Sequence, residues 1–362
     1  MADQQQRGRI RELDGWRGIS ILLVILDHVL IFAYPEAVGR FKFLSRMAGG
    51  FGELGVDTFF VISGFVITRL LIKEEHRDGA ISLRTFYTRR VFRILPVFLL
   101  LVSVICLLSW LGITPISPNA VLIAVFFLKD LSHMSPDWFL GHTWSLAVEE
   151  QFYIVFPLFW TVAAARRRPA ILGVSLTCFL VWGLLVEWNM LTGLLSRSAI
   201  VGFSCINLGA LLAIFESRAR ELMARTPPLV PLLVAAFLFL RPVPNTSLGR
   251  TFYHPFVPFG VGLLLAYTMS RKGWASALLN SAILQWVGLV SYSAYLWQEL
   301  FIGNASYYGS SVAASAFHLA LPAIFLVAAV SYYGVERPCT WLGRRFSGRE
   351  SSSKAASELV SS

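Results

Sequence analysis

Long apolar runs repeat along this chain, separated by short polar interruptions. A run of about 17 to 25 apolar residues is long enough to cross the hydrocarbon core of a bilayer as a helix. The pattern predicts ten such spans, near residues 18–34, 53–72, 94–112, 143–164, 169–188, 199–215, 228–241, 254–270, 286–303 and 314–334. The apolar stretch Val121–Leu128 is too short to span and predicts a short outer or re-entrant helix. The predicted fold class is therefore all-α, that of a polytopic integral membrane protein.

The lysine and arginine residues orient these spans, because such residues collect in cytoplasmic loops. With both termini in the cytoplasm, 24 of the 31 Lys and Arg residues lie in inside segments and 7 lie in outside segments. Counting Val121–Leu128 as a full span would move the basic sequence "ARRR" at 165–168 to the outside. The charge bias therefore favours ten spans with both termini cytoplasmic.

The composition excludes an ordinary soluble domain. Of the 362 residues 56% are hydrophobic and 14% are charged, and the mean hydropathy is +0.64. We predict a basic cytoplasmic N-terminus at 1–12, one membrane-embedded domain at 13–345 and a disordered, Ser-rich cytoplasmic tail at 346–362. The formal net charge of +10 is attributed to Lys and Arg residues in the cytoplasmic loops. No nucleic-acid binding is expected, because no folded basic domain is predicted.

Two further features concern processing and metals. The four cysteines are scattered without a CxxC pair, which indicates neither a disulfide framework nor a zinc site. The apolar run after the basic N-terminus lacks a small-residue cleavage pattern, so we predict an uncleaved first span rather than a signal peptide.

Two basic segments on the predicted cytoplasmic side mix arginine with aromatic and aliphatic residues. They are "ISLRTFYTRRVFRILP" at 81–96, which holds Arg84, Arg89, Arg90 and Arg93, and the shorter "WLGRRF" at 341–346. Segments of this kind lie at the membrane interface and anchor a protein to acidic headgroups. A basic mouth for an anionic cytosolic ligand is the alternative, and position alone leaves both open.

The first predicted span carries ionisable residues, each of which is costly in a membrane. Arg17 and His28 are eleven residues apart, so an α-helix places them on one face and about 16 Å apart. Arg17 lies at the cytoplasmic rim, whereas His28 lies well inside the span, where a neutral imidazole can give or take a proton. Asp27 points about 100° away from that face and is interpreted as an acid at the outer interface. A histidine satisfied by a neighbouring helix is the alternative to a reactive one.

Other predicted spans also carry polar groups where apolar residues would cost less. Asp57 lies in the second span, in which Gly55, Gly64 and the small Ser63 permit close helix packing. The adjacent Glu149 and Glu150 of the fourth span point about 100° apart, so at most one is expected to face any single cavity. Further polar or ionisable groups are His142, Gln151, Tyr153, Ser291, Tyr292, Tyr295, Glu336 and Arg337.

Six segments carry these groups in a fixed order. They are "LDGWRGISILLVILDH", "GVDTFFVISGFVIT", "FYTRRVFRILP", "WSLAVEEQFYIVFP", "VSYSAYLWQ" and "VERP". Together they resemble the signatures of the acyltransferase-3 family of membrane O-acyltransferases, and Arg17 and His28 stand at its arginine-x10-histidine spacing. The resemblance runs from Leu13 to about Arg345. The chain departs from many members at Gln298, where they carry histidine, and it resembles the stand-alone form without a fused periplasmic hydrolase-like domain.

The resemblance implies transfer of an acyl group, most often acetyl, from acyl-CoA to a hydroxyl of a sugar or related acceptor. It implies His28, Asp57 and Glu149 as catalytic residues and Arg17, Arg89, Arg90 and Arg93 as donor-binding residues. In this hypothesis His28 is the base for the acceptor hydroxyl or carries the acyl group, and Asp57 or Glu149 orients an imidazole or neutralises an arginine. The implied supporting residues are Asp14, Ser63, Trp144, Ser145, Glu150, Tyr153, Tyr292, Tyr295, Glu336 and Arg337.

The expected co-substrate is acyl-CoA, with acetyl-CoA as the expected form, and no permanently bound cofactor and no metal are expected. The expected partners are membrane lipid and a sugar-containing acceptor, at the bacterial cytoplasmic (inner) membrane. A cell-surface polysaccharide or lipid-linked oligosaccharide is the first choice of acceptor, with a small molecule such as a macrolide as the alternative. Two other classes stay open: a proton-coupled transporter, because intramembrane charges also mark proton pathways, and a non-catalytic partner of a polysaccharide assembly complex. The oligomeric state is not predicted.

Overall fold

The computed structural model describes residues 10–33, 50–131, 137–188, 197–240, 247–302 and 310–347. The helices are α1 (Arg11–His28), α2 (Gly50–Asp78), α3 (Leu83–Trp110), α4 (Pro118–Val125), α5 (Thr143–Val162), α6 (Arg168–Glu187), α7 (Arg197–Ile214), α8 (Glu216–Arg225), α9 (Leu229–Leu240), α10 (Ser247–Ser270), α11 (Trp274–Leu279), α12 (Ala282–Phe301) and α13 (Ser310–Ser331). A π-helical turn, Val29–Ala33, continues α1, and another, Tyr332–Glu336, continues α13 into a helical segment at 337–347. No strand occurs in these ranges, so the all-α prediction is confirmed for them.

The long apolar helices are those of a membrane protein. Each of the ten predicted spans overlaps a helix. Four segments of the described chain are long and apolar enough to cross a membrane: Gly50–Asp78, Leu83–Trp110, Ala165–Glu187 and Leu319–Ser347. The pair Ser198–Ile214 and Glu216–Arg225, bent by 88°, adds a fifth if it forms one span. The count of ten and the side of the termini stay predictions, and most of the predicted tail lies outside the described residues.

The outer helices turn apolar side chains away from the bundle. In the most apolar window of α2 72% of the residues are buried, whereas in that of Ala165–Glu187 only 11% are buried. Trp110 and Val162 are 82% and 84% exposed. Apolar surface on this scale is unfavourable in water and marks contact with lipid or protein. The helix α2 therefore lies in the protein interior, and α6 lies at its apolar outer surface.

The basic segment at 81–96 forms the first half of α3 and continues directly into the predicted span, and its position at the membrane interface stays a prediction. The Ser82 hydroxyl accepts a hydrogen bond from the Thr85 amide and caps the helix, which then continues to Trp110. Membrane helices tolerate proline, so the proline inside this segment does not end the helix. The second basic segment, at 341–346, likewise continues the helix that includes Leu319. The arginines of α3 therefore stand at the end of a long apolar helix.

Glycines let the central helices approach closely, as the sequence predicts for Gly55 and Gly64. A Cβ atom at Gly64 would collide with the Ile206 carbonyl of α7, and one at Gly288 would collide with the Asp14 carbonyl of α1. At Gly55 it would lie 2.6 Å from the carbonyl oxygen of Ser20 on α1. Contacts between backbones at this distance are possible only with glycine. They hold α1 between α2 and α12.

We expect Gly64→Val to destabilise the protein by about 1–3 kcal/mol, because its side chain has no space against the α7 backbone. Gly173→Ala is the matched control, since no atom lies within 4 Å of the added Cβ and alanine favours a helix by about 0.5–1 kcal/mol over glycine. Thermal unfolding of both variants in detergent measures the difference. Equal midpoints for the two variants would contradict the packing role of Gly64.

Candidate active site

Arg17 lies where α1 meets α3 and α5. Its guanidinium interacts electrostatically with Arg93 of α3, with Asp14 of its own helix, and with Glu149 and Tyr153 of α5. Adjacent arginines repel each other, so nearby carboxylates are required to stabilise them away from water. The term ionic cluster is used below for Arg17, Arg90, Arg93, Glu149, Glu150, Tyr153 and Glu336.

Glu149 is the acid of α5 that faces Arg17. Its Oε1 atom accepts a hydrogen bond from the Tyr153 hydroxyl at 2.5 Å and another from the Ser63 hydroxyl of α2. A carboxylate held by two hydroxyl donors keeps a fixed orientation. Glu149 is thus positioned to neutralise Arg17, one of the two roles that the sequence hypothesis gives it.

Glu150 also faces the interior. It interacts electrostatically with Arg90, and its buried Oε1 atom has no hydrogen-bond partner within the described part of the chain. The Arg90 guanidinium carbon lies 4.2 Å from the ring centroid of Tyr153. Tyr292 of α12 interacts with both glutamates. Glu149 and Glu150 thus have different direct partners, and the expectation that at most one of them faces any single cavity stays a prediction.

Glu336 joins the end of α13 to the ionic cluster. This buried carboxylate interacts with Arg17 and Arg93, and its Oε2 atom accepts a hydrogen bond from the Ser293 hydroxyl at 2.9 Å. It lies in a π-helical turn, a feature frequent at functional sites. The neighbouring Arg337 is exposed.

Arg89 differs from the other arginines assigned to donor binding. Its Nε atom donates to the Ser347 hydroxyl at 2.8 Å, which ties α3 to the last helical segment. Tyr292 also makes a structural contact, because its hydroxyl donates to the Ile94 carbonyl at 2.9 Å. The structure thus gathers Arg17, Arg90 and Arg93 and leaves Arg89 at the side.

His28 ends α1 at the π-helical turn and lies in a second polar region. Its ring centroid is 6.0 Å from that of Trp138, in an edge-on arrangement. The Trp138 indole donates to the Glu299 carbonyl at 3.0 Å, so the tryptophan connects α1 with α12. The histidine is partly exposed, although its Nδ1 atom is buried.

A second histidine, absent from the predicted site residues, lies in this region. The Nδ1 atom of His142 is 2.6 Å from Oε2 of Glu299, and both side chains are buried. The Tyr295 hydroxyl is 2.7 Å from the His142 carbonyl and 2.6 Å from the Ser145 hydroxyl. The term histidine cluster is used below for His28, Trp138, His142, Ser145, Tyr295 and Glu299. Tyr295 interacts electrostatically with Glu149 as well as Glu299, which connects the two clusters.

The segment that carries Trp138 and His142 is fixed by polar contacts before α5. The Lys129 ammonium is 2.5 Å from Asp137, whose other carboxylate oxygen accepts from the Leu140 amide at 2.8 Å. Asp130 accepts a hydrogen bond from the Gln151 amide at 2.9 Å, and burial raises the pKa of its carboxyl group. These contacts fix the backbone of the segment and so position the rings of Trp138 and His142.

Asp57 lies on a different side of α2. It interacts with Cys205 of α7 and lines a cavity together with Glu53, Trp144, Ser198, Val201, Tyr253 and His254. The structure does not gather Asp57 with Arg17 and Glu149. Asp57 instead lies in a small cavity lined by carboxylates and aromatic rings, one of which is the predicted supporting residue Trp144.

Apolar outer helices around buried or partly buried arginines, carboxylates and histidines define a helical membrane protein with an internal polar site. A family model described as an acyltransferase domain matches residues 10–335. The chain therefore belongs to the acyltransferase-3 family.

Curated relatives agree with this assignment. The chain is 28% identical over 359 residues to the O-acetyltransferase OatA of Staphylococcus aureus strain NCTC 8325, covering 90% of this chain and 56% of the relative. The OatA protein of strain COL matches with the same identity and coverage. The chain thus spans about half the length of these relatives. No solved structure matches the chain significantly.

Proposed function

We propose that this acyltransferase moves an acyl group, with acetyl the expected one, from acyl-CoA to a sugar hydroxyl on a cell-surface polysaccharide or lipid-linked oligosaccharide. The observation that carries the proposal is the geometry of α1, whose one face bears Arg17 in the ionic cluster and His28 in the histidine cluster. An acyl-CoA donor needs cations for its phosphates and, at the other end, a group that handles a proton or an acyl group. The names of the relatives support acetyl as the group.

The proposed orientation has ten spans, with both termini cytoplasmic, in the bacterial inner membrane. The excess of Lys and Arg in the predicted inside segments supports it. Arg17 then lies near the cytoplasm, where acyl-CoA is found, and His28 lies about 16 Å deeper. In this arrangement donor and acceptor approach the site from opposite sides of the membrane.

The ionic cluster is proposed to hold the donor. Arg17, Arg90 and Arg93 offer guanidinium groups that bind phosphate through paired hydrogen bonds. Glu149 and Glu336 stabilise these arginines when the donor is absent. Membrane lipid covers the apolar outer helices.

The chemistry requires little beyond positioning and proton transfer, because a thioester is already activated. The acceptor oxygen attacks the acyl carbon after losing its proton, and the CoA sulfur leaves as a thiol. His28 is proposed either as the base for this proton or as the residue that carries the acyl group on a ring nitrogen.

The experiment that tests this function compares cells with and without the protein, both fed isotope-labelled acetate. Mass spectrometry of glycans and small metabolites should show a labelled acetyl increment on a glycan only in cells that express the protein. An increment on a small molecule instead would identify the alternative acceptor class. Proton-driven uptake without any acylated product would contradict acyl transfer and support a transporter.

A further inference from the structure

The contact between His142 and Glu299 has the geometry of a catalytic dyad. Glu299 binds one ring nitrogen of His142 at 2.6 Å, and the other, Nε2, is buried with no hydrogen-bond partner among the residues described here. The His142 residue is only 4% exposed, as is Glu299. A polar atom at such a buried position normally has a partner, so an unpartnered one indicates a place for a ligand.

The pairing also selects one tautomer of a neutral His142 ring. A neutral imidazole has one N–H group and one lone pair, and a carboxylate that accepts from Nδ1 leaves the lone pair at Nε2. The same carboxylate stabilises the imidazolium that forms when Nε2 takes a proton. Tyr295 holds the His142 backbone, so the ring has little freedom to turn. The arrangement is that of an oriented general base.

A second observation points to ligand space at this end of α12. Gln298 is fully buried, yet neither polar atom of its amide has a hydrogen-bond partner in the described ranges. It lies one turn beyond Ala294, which packs in the same cluster as Ile25 of α1 and Val29 of the π-helical turn that follows α1. Gln298 therefore shares the face of α12 that is turned toward the end of α1, where His28 lies.

We propose that His142, positioned by Glu299, is the general base for the acceptor hydroxyl, which deepens the proposed function and rests on it. Nε2 takes the hydroxyl proton and the oxygen attacks the acyl carbon. The bond from that carbon to the departing atom breaks, and His142 returns the proton to that atom. The departing atom is the CoA sulfur, or a nitrogen of His28 if the acyl group is carried there. The role that remains for His28 is to carry the acyl group. Glu299 is a positioning residue, because it acts through His142.

The test uses the purified full chain, acetyl-CoA and a glycan-containing membrane extract, with release of the CoA thiol as the readout. His142→Asn keeps an amide that can donate to Glu299 but has no base. We expect its kcat to fall about 100-fold or more while the KM for acetyl-CoA stays within about twofold. Glu299→Gln keeps the shape of the side chain but removes the charge, and we expect a fall in kcat of about 10-fold or more with the same KM. The exposed His76 provides the control, His76→Asn.

The outcomes separate this proposal from the function on which it rests. A His142→Asn protein within threefold of the His76→Asn control overturns the dyad, and so does an equal effect on kcat and KM. If His142→Asn lowers the unfolding temperature more than the control does, the activity of Glu299→Gln is the test instead. Full activity of Glu299→Gln then overturns the proposal. A wild-type protein that forms no acylated product contradicts the proposed function itself.

Discussion

Replacing His28 by alanine is expected to abolish acyl transfer while the protein stays folded. A positioned group that moves a proton contributes about 10²–10⁴-fold to the rate, and loss of a covalent carrier would have at least this effect. The stability cost should be small, because the ring is partly exposed and its aromatic contact with Trp138 is of a kind that contributes about 0.5–1.5 kcal/mol. Release of the CoA thiol and the acetyl mass increment measure transfer, and thermal unfolding measures the fold.

The neighbouring residue supplies the control for His28→Ala. Asp27 is buried and lies off the face shared by Arg17 and His28, against Gly52 of α2. Asp27→Asn has the same size as the original residue, so we expect activity within about threefold of the wild type. A His28→Ala protein as active as Asp27→Asn would refute the role assigned to His28.

The helices follow from the sequence because lipid imposes a simple rule on it. A membrane helix must satisfy its own backbone and bury about 20 apolar residues, so hydropathy alone indicates where helices lie. Their ends follow less directly. Helix α3 starts at Leu83, eleven residues before the predicted span at 94–112, because its basic first half continues the same hydrogen-bond ladder. Hydropathy detects the apolar part of such a helix and misses its charged end.

The candidate site follows from the sequence only within one helix. Arg17 and His28 share a face because helical geometry fixes the positions of residues eleven apart. The partners of these residues come from other helices, and which faces meet depends on packing that no local pattern encodes. The two glutamates of α5 meet groups from three other helices: Ser63 of α2 donates to Glu149, Arg90 of α3 interacts with Glu150, and Tyr292 of α12 interacts with both. His142 and Glu299 are 157 positions apart, so only the folded chain brings them together.

Arg17→Ala is the second change with a large expected effect, a rise in the KM for acetyl-CoA of about 10- to 100-fold. This range corresponds to the loss of about 1.5–3 kcal/mol for hydrogen bonds to a charged group, at about 1.4 kcal/mol for each factor of ten. Arg17→Lys keeps the charge but not the paired hydrogen bonds, so we expect an intermediate rise. Initial rates at varied acetyl-CoA concentration measure both.

Arg17 also neutralises Glu149, and a double variant separates the two roles. Arg17→Ala removes a positive charge near Glu149, which keeps its hydrogen bonds with Tyr153 and Ser63. The loss of that charge by itself disturbs the ionic cluster. Glu149→Gln removes that charge and keeps the oxygen that accepts both hydroxyl hydrogen bonds. If Arg17 binds the donor, the double variant keeps the high KM of Arg17→Ala, because the lost contact is with the phosphates. Recovery of a normal KM in the double variant would contradict donor binding by Arg17. The effects of Arg17→Ala and Glu149→Gln on the KM would then cancel, as those of coupled neighbours can, and the role of Arg17 would be structural.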